Sequence, residues 1–178
     1  MIQLEFFERK DFTQLIEWID SEKFLLQWGG PAFTFPLQDQ QLENYMENAN
    51  HNEANTFVYK VIYKETGKVI GHISLGKIDR VNRSARIGKV LVGDTSMRGK
   101  SIGKEMIEEV LKVAFEELKL HRVSLGVFDF NTSAITCYEK VGFVKEGLQR
   151  DARKIGSEYW SLWEMSILEN EWLDKKQG

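Results

Sequence analysis

Apolar residues recur along this chain with two different periods, and the switches between them mark the elements. Residues 2–7 alternate and read as a short strand. In "DFTQLIEWID", Phe12, Leu15, Ile16 and Ile19 step by three and four, with Asp11 placed as an N-cap. Residues 28–37, "WGGPAFTFPL", hold both prolines and two adjacent glycines, which predicts a loop. "QDQQLENYMENA" reads as a second, rather polar helix. Phe57–Tyr63 and Lys68–Leu75 are β-branched and aromatic runs around a turn at Glu65-Thr66-Gly67, a hairpin pattern. Ala85–Val92 is a further strand. Ser101–Leu118 carries the strongest helical stripe: Ile102, Met106, Ile107, Val110, Leu111, Ala114, Phe115 and Leu118. "HRVSLGVFDF" is a strand with Val123, Leu125 and Val127 on one face, and Asn131–Glu139 is a short helix capped by Asn131. Phe143–Gln149 and Tyr159–Leu168 form a closing strand pair.

The predicted order is β α α β β β α β α β β, with no linker-like stretch. It implies one domain over residues 1–178, of α/β (α+β) class, with a mixed and mostly antiparallel central sheet. Regular βαβ alternation is absent, so a doubly wound fold is not expected.

Composition adds little to this but removes several classes. The chain has 178 residues, enough for one sizeable core. A net charge of −3 leaves no electrostatic footprint for nucleic acid. No apolar run approaches the roughly 18 residues of a membrane span. The first residues, "MIQLEFFERKDF", carry charge throughout and lack the apolar core of a signal peptide, so a cytoplasmic protein is expected. Cys137 is the single cysteine, which rules out an internal disulfide. His51, His72 and His121 lack the spacing of metal ligands, so no metal is expected.

The chemistry concentrates in two stretches. The first is "SMRGKSIGKEM", Ser96–Met106. It is not a Walker A loop: Gly99 and Gly103 are one residue too close, and Lys104 is followed by Glu105 rather than a hydroxyl. Two readings remain. The turn is either a plain helix start, with Ser101 able to cap, or a diphosphate cradle. In the second case free N–H groups of the first turn and the helix dipole meet an anion, and Arg98, Lys100 and Lys104 add charge. The loop alone does not choose between them.

The second stretch is "NTSAITCYEKVGF", Asn131–Phe143. A strand, an R-G-x-x-x-G turn, an amphipathic helix, a strand and then N-x-x-A-x-x-x-Y-x-K-x-G-F resembles the GNAT superfamily of acyl-CoA-dependent N-acetyltransferases. The similarity covers roughly residues 55–168. The two ends of the chain resemble the branch that holds ribosomal-protein N-terminal acetyltransferases and spermidine acetyltransferases. The resemblance implies acetyl-CoA as co-substrate and direct attack by a primary amine in a ternary complex. Val90, Leu91 and Val92 would offer backbone groups to the pantetheine arm. Arg98, Gly99, Lys100, Ser101, Ile102, Gly103 and Lys104 would hold the pyrophosphate. Asn131 would bond the pantetheine, with Ser133 and Ala134 close to the cofactor, and Tyr138 would protonate the leaving thiolate. Those residue types suit the reaction. Attack on a thioester creates an oxyanion that strand N–H groups stabilise, and the departing sulfur needs a proton donor. As an amphipathic aromatic, Tyr138 would otherwise simply pack.

The chain departs from the pattern at three points. Ser101 stands where many relatives have a glycine. Arg86 and Gly126 stand where relatives carry a glutamate as general base. Asp129, Glu158 and His72 remain as candidates for that role, none singled out by sequence. Cys137, beside Tyr138 and without a nearby histidine, reads as a packed residue rather than a nucleophile. The acceptor pocket is expected from the early helices, the Trp28 loop and the late hairpin, lined by Trp28, Phe33, Phe35 and Tyr159. The same aromatics could equally close the core. Three functions follow: an acetyltransferase for a peptide N-terminal α-amine, one for a small amine such as a polyamine or drug, or a CoA-binding sensor without catalysis. A monomer or homodimer is expected, with neither nucleic acid nor membrane as partner.

Overall fold

The computed structural model describes residues 1–178, and its elements grow from seven strands in one sheet. They are β1 (Ile2–Phe6), β2 (Phe57–Tyr63), β3 (Lys68–Asp79), β4 (Ser84–Val92), β5 (Arg122–Phe128), β6 (Val144–Ile155) and β7 (Glu158–Leu168). Six helices accompany them: α1 (Phe12–Trp18), α2 (Glu22–Gly29), α3 (Asp39–Met46), α4 (Ile102–Lys112), α5 (Thr132–Val141) and α6 (Glu169–Gln177). The sheet order is β1-β2-β3-β4-β5-β7-β6. Every neighbouring pair is antiparallel except β4–β5. The α/β class and the mostly antiparallel sheet are as the sequence predicts.

Two helices were not foreseen. Helix α2 occupies the chain just before the predicted loop, its Ser21 hydroxyl accepting the Phe24 N–H and Gly30 ending it at φ +63°. The Gly-Gly-Pro stretch therefore stops a helix and does not replace one, and Trp28 is a helical residue. Helix α6 is highly charged and buries Trp172 alone. Asp11 makes no side-chain cap on α1. Its carboxylate instead accepts the Glu8 N–H at 2.9 Å and pairs at 3.2 Å with Lys60, itself 5% exposed.

The sheet is covered on both faces. On one, the apolar stripe of α4 (Ile102, Met106, Ile107, Val110, Leu111) packs with α5 against β2–β5 in the larger core. On the other, α1–α3 bury Phe12, Leu15, Leu25, Trp28 and Leu42 against Val58 and Leu91. Apolar burial of this kind is the main stabilising term, about 25 cal/mol per Å².

One irregularity shapes the site. β4 and β5 pair only at Ser84–Arg86 with Arg122–Ser124, and from Ile87 onward no further pairing with β5 occurs. β4 is also bulged: His72 pairs with Leu91 and Ser74 with Gly88, leaving an extra residue, and Lys89 adopts φ +53°. The bulge turns β4, while β5 stays paired with β7 from Arg122 to Phe128, so a wedge opens between β4 and β5.

Candidate active site

The wedge is bordered on β4 by Val90, Leu91 and Val92. Leu91 faces the α1–α3 side, whereas Val90 and Val92 pack towards α4 and α5. With no partner strand on that side, this stretch has peptide groups free for a ligand lying along the edge. The carbonyl just before it and the carbonyl at its end are held by side chains from outside the sheet. The Trp28 indole N–H donates to Lys89 O at 3.0 Å, and Arg98 Nε donates to Val92 O at 3.3 Å.

The chain leaves β4 through a short turn fixed by Asp94, whose carboxylate accepts the Ser96 N–H at 2.9 Å, and by buried Met97. It then enters α4 through Gly99 at φ +77° and Ser101 at φ +63°. Ser101 does not cap α4 with its side chain, because the left-handed backbone takes the hydroxyl away from the helix start. That conformation costs a non-glycine residue about 1 kcal/mol. The N–H groups of the first turn, Ile102, Gly103 and Lys104, are thus left uncapped. The helix dipole, Arg98 and Lys100 make this end electropositive, while Lys104 leans on Glu108 at 3.7 Å. A Cβ at Gly103 would lie 3.9 Å from Cys137 Sγ, so α5 packs closely here. The first turn of α4 and the middle of α5 therefore lie side by side.

Helix α5 starts where β5 ends. Asn131 caps it, its side-chain oxygen accepting from the Ala134 N–H at 3.4 Å, with Ser133 Oγ also at 3.4 Å. Seven residues on, two helical turns, lies Tyr138. It is 8% exposed, its ring 6.1 Å from Phe143. Burial raises its pKa well above the usual tyrosine value, so the hydroxyl stays protonated at neutral pH. Burial likewise raises the Cys137 thiol, which suits the packed reading and not a nucleophile.

The two replaced glutamates form one feature. Arg86 reaches across β5 to Glu164 on β7, with Nη1–Oε1 2.5 Å and Nη2–Oε2 3.1 Å, and also bonds Ser124 at 3.3 Å. Gly126 lies directly opposite Glu164 in the register. A Cβ at Gly126 would come within 2.7 Å of Arg86 Nη2. The glycine makes room for the arginine, and the pair ties three strands together at the base of the wedge.

On the α1–α3 side, Trp28 is buried and stacks on Phe33 (5.6 Å, 13°). Tyr45 meets Phe33 edge-on, and its hydroxyl lies 3.1 Å from His72 Nε2. His72 is 1% exposed, and burial lowers its pKa to about 3, so it is neutral and unsuited to accept a proton near pH 7. Lys89 lays its ammonium over Phe33 (5.7 Å) and Tyr45 (5.0 Å). Phe35 and Tyr159 stand apart: both are exposed, and Tyr159 carries only Lys154 over its ring, at 6.0 Å. Of the other base candidates, Asp129 is exposed and Glu158 is bound to Lys23 at 2.9 Å. Tyr45, Lys89 and Glu164 were missed by sequence reasoning. A lone lysine inside the apolar run "IGKVLV" was the only available signal.

A splayed β4–β5 pair, a basic uncapped helix start after β4 and a capped helix carrying a buried tyrosine after β5 together define an acyl-CoA-dependent N-acyltransferase. The family model for the acetyltransferase (GNAT) domain matches residues 2–144, and the chain belongs to that family. It is a GNAT N-acetyltransferase, with acetyl-CoA as co-substrate and an amine as acceptor. A probable N-acetyltransferase, YjcK, of Bacillus subtilis is 30% identical over 158 residues, covering 88% of this chain and 78% of that protein. A putative ribosomal N-acetyltransferase, YdaF, of the same organism is 34% identical over 110 residues, 62% of this chain and 59% of that protein. The crystal structure of spermidine N-acetyltransferase from Vibrio cholerae in complex with CoA and spermine superposes with a TM-score of 0.82. It is 25% identical and covers 97% of this chain and 98% of that one.

Proposed function

We propose that residues 1–178 form a single cytoplasmic acetyltransferase domain acting on the N-terminal α-amine of a peptide or protein. The observation that supports the transfer site is the β4–β5 wedge, with the uncapped start of α4 following β4 and α5, which carries Tyr138, following β5. Val90, Leu91 and Val92 bond the pantetheine arm, and a backbone N–H near Leu91 receives the developing oxyanion. The stretch Arg98, Gly99, Lys100, Ser101, Ile102, Gly103 and Lys104 receives the pyrophosphate, as a helix start with free N–H groups does. Asn131, Ser133 and Ala134 line the cofactor at the start of α5. Acetyl-CoA supplies the activated acyl group. Tyr138, kept protonated by burial, gives its proton to the departing sulfur as the C–S bond breaks, and the proton lost by the newly acylated nitrogen returns through solvent to the tyrosine oxygen, leaving amide and free CoA thiol. The acceptor amine arrives from the α1–α3 side, past Trp28 and Phe33.

A small-amine acceptor is the second reading, supported by the fold-wide similarity to the Vibrio cholerae spermidine enzyme. Acceptor-dependent thiol release from acetyl-CoA separates the two, using Ala-, Ser- and Met-initiated peptides against spermidine and an aminoglycoside. Turnover with peptides alone supports the first reading, and turnover with spermidine or the aminoglycoside alone overturns it in favour of the second.

A further inference from the structure

Two features of the α1–α3 side have no role so far. Lys89 is a half-buried ammonium that rests on the faces of Phe33 and Tyr45 and takes part in no ion pair. Three carboxylates of the surrounding elements are paired with other cations: Asp11 with Lys60, Glu158 with Lys23 and Glu164 with Arg86. His72, enclosed edge-on by Phe7 (4.6 Å) and Trp28 (5.6 Å), uses Nε2 on Tyr45, while its buried Nδ1 has no hydrogen-bond partner.

The bulge sets this arrangement. Lys89 and Leu91 both face the α1–α3 side, so the ammonium sits two residues from the backbone expected to bind the reacting acyl group. Trp28 holds the strand in place there through Lys89 O. The aromatic faces that would otherwise attract an incoming cation are already occupied by one of the protein's own. Burial, reinforced by Lys77, lowers the Lys89 pKa, which marks an ammonium short of compensating charge. A second cation beside it is opposed by like-charge repulsion in a partly desolvated site, and an anion is favoured for the same reason.

We propose that Lys89 is the specificity-determining residue of the acceptor site: it pairs with a carboxylate on the acceptor, so that the preferred substrate is a peptide amine with an acidic residue near its N-terminus. This rests on the acetyltransferase reading above and narrows its acceptor. Aromatic rings around Lys89 orient its donors, and a carboxylate supplies the partner it lacks. Polyamines meet the wrong charge.

The test compares three peptides of equal length, starting Ser-Asp, Ser-Ala and Ser-Lys, together with spermidine. Each is assayed by thiol release with the native protein and with Lys89→Arg, Lys89→Met and Lys89→Glu, all checked for folding by thermal melting. A charge-assisted pair of this kind changes kcat/KM by on the order of ten- to a hundred-fold. The expected result is Ser-Asp above Ser-Ala above Ser-Lys and spermidine. Lys89→Arg should keep that order, Lys89→Met flatten it and Lys89→Glu reverse it. Turnover with no charge preference, or a preference that Lys89→Glu leaves intact, overturns this proposal and leaves the acetyltransferase assignment standing. Absence of both turnover and acetyl-CoA binding overturns the two together.

Discussion

The Arg86–Glu164 pair offers a quantitative check on how the wedge is held open. Its side chains are 30% and 23% exposed, between the surface and the interior. Exposed pairs contribute about 0–1 kcal/mol, and breaking a buried one costs about 3–5 kcal/mol. The bidentate geometry and the added Ser124 contact place this pair at about 2 kcal/mol. A double-mutant cycle with Arg86→Met, Glu164→Gln and both together isolates that coupling from other effects of each change. For a chain of this length about 2 kcal/mol corresponds to a fall of roughly 4–8 °C in Tm. Denaturant unfolding gives the free energies, and an acetyl-CoA titration reports on the wedge. Each single variant should bind acetyl-CoA more weakly, because the pair fixes β4 against β5 and β7 just before the strands part. Additive free energies, with a coupling indistinguishable from zero, would show that the pair does not hold the vertex.

Two further perturbations follow from the site. Ser101→Gly should relieve the left-handed backbone at φ +63°, raising stability by up to about 1 kcal/mol, read as a Tm increase of roughly 2–4 °C; a fall in Tm would show that the hydroxyl stabilises the loop. His72 is neutral in the fold, its pKa lowered from 6.5 to about 3, so its contribution to stability is present above pH 6.5 and is lost as pH falls towards 3. Over that window the native protein should lose about 1.4 kcal/mol per pH unit more than His72→Gln, compared by denaturant unfolding; equal slopes would contradict a buried neutral histidine.

The parts of this fold that sequence revealed are those where one physical rule acts alone. The α4 stripe is set by burial of Ile102, Met106, Ile107, Val110 and Leu111 on one face. The β2–β3 hairpin and the Asn131 cap follow from local chemistry in the same way. Helix α2 was legible in principle, since Ser21 and Gly30 bracket it, but the Pro31 loop masked its end. Helix α6 and the outer part of β6 are charged and largely exposed, so no apolar period marks them. The long-range features were out of reach. Arg86 and Gly126 register in sequence only as missing glutamates, and their meaning lies in Glu164, one strand further on. Lys89 depends on a bulge, which adds a residue without any signature of its own.

Proton donation by Tyr138 to a thiolate leaving from the wedge can be read from one comparison. Acceptor-dependent thiol release is measured for the native protein and for Tyr138→Phe, with acetyl-CoA affinity determined in parallel. Turnover should fall on the order of a hundredfold or more, with affinity nearly unchanged, since only a hydroxyl at the reacting end is removed. Turnover of Tyr138→Phe equal to that of the native protein would contradict it.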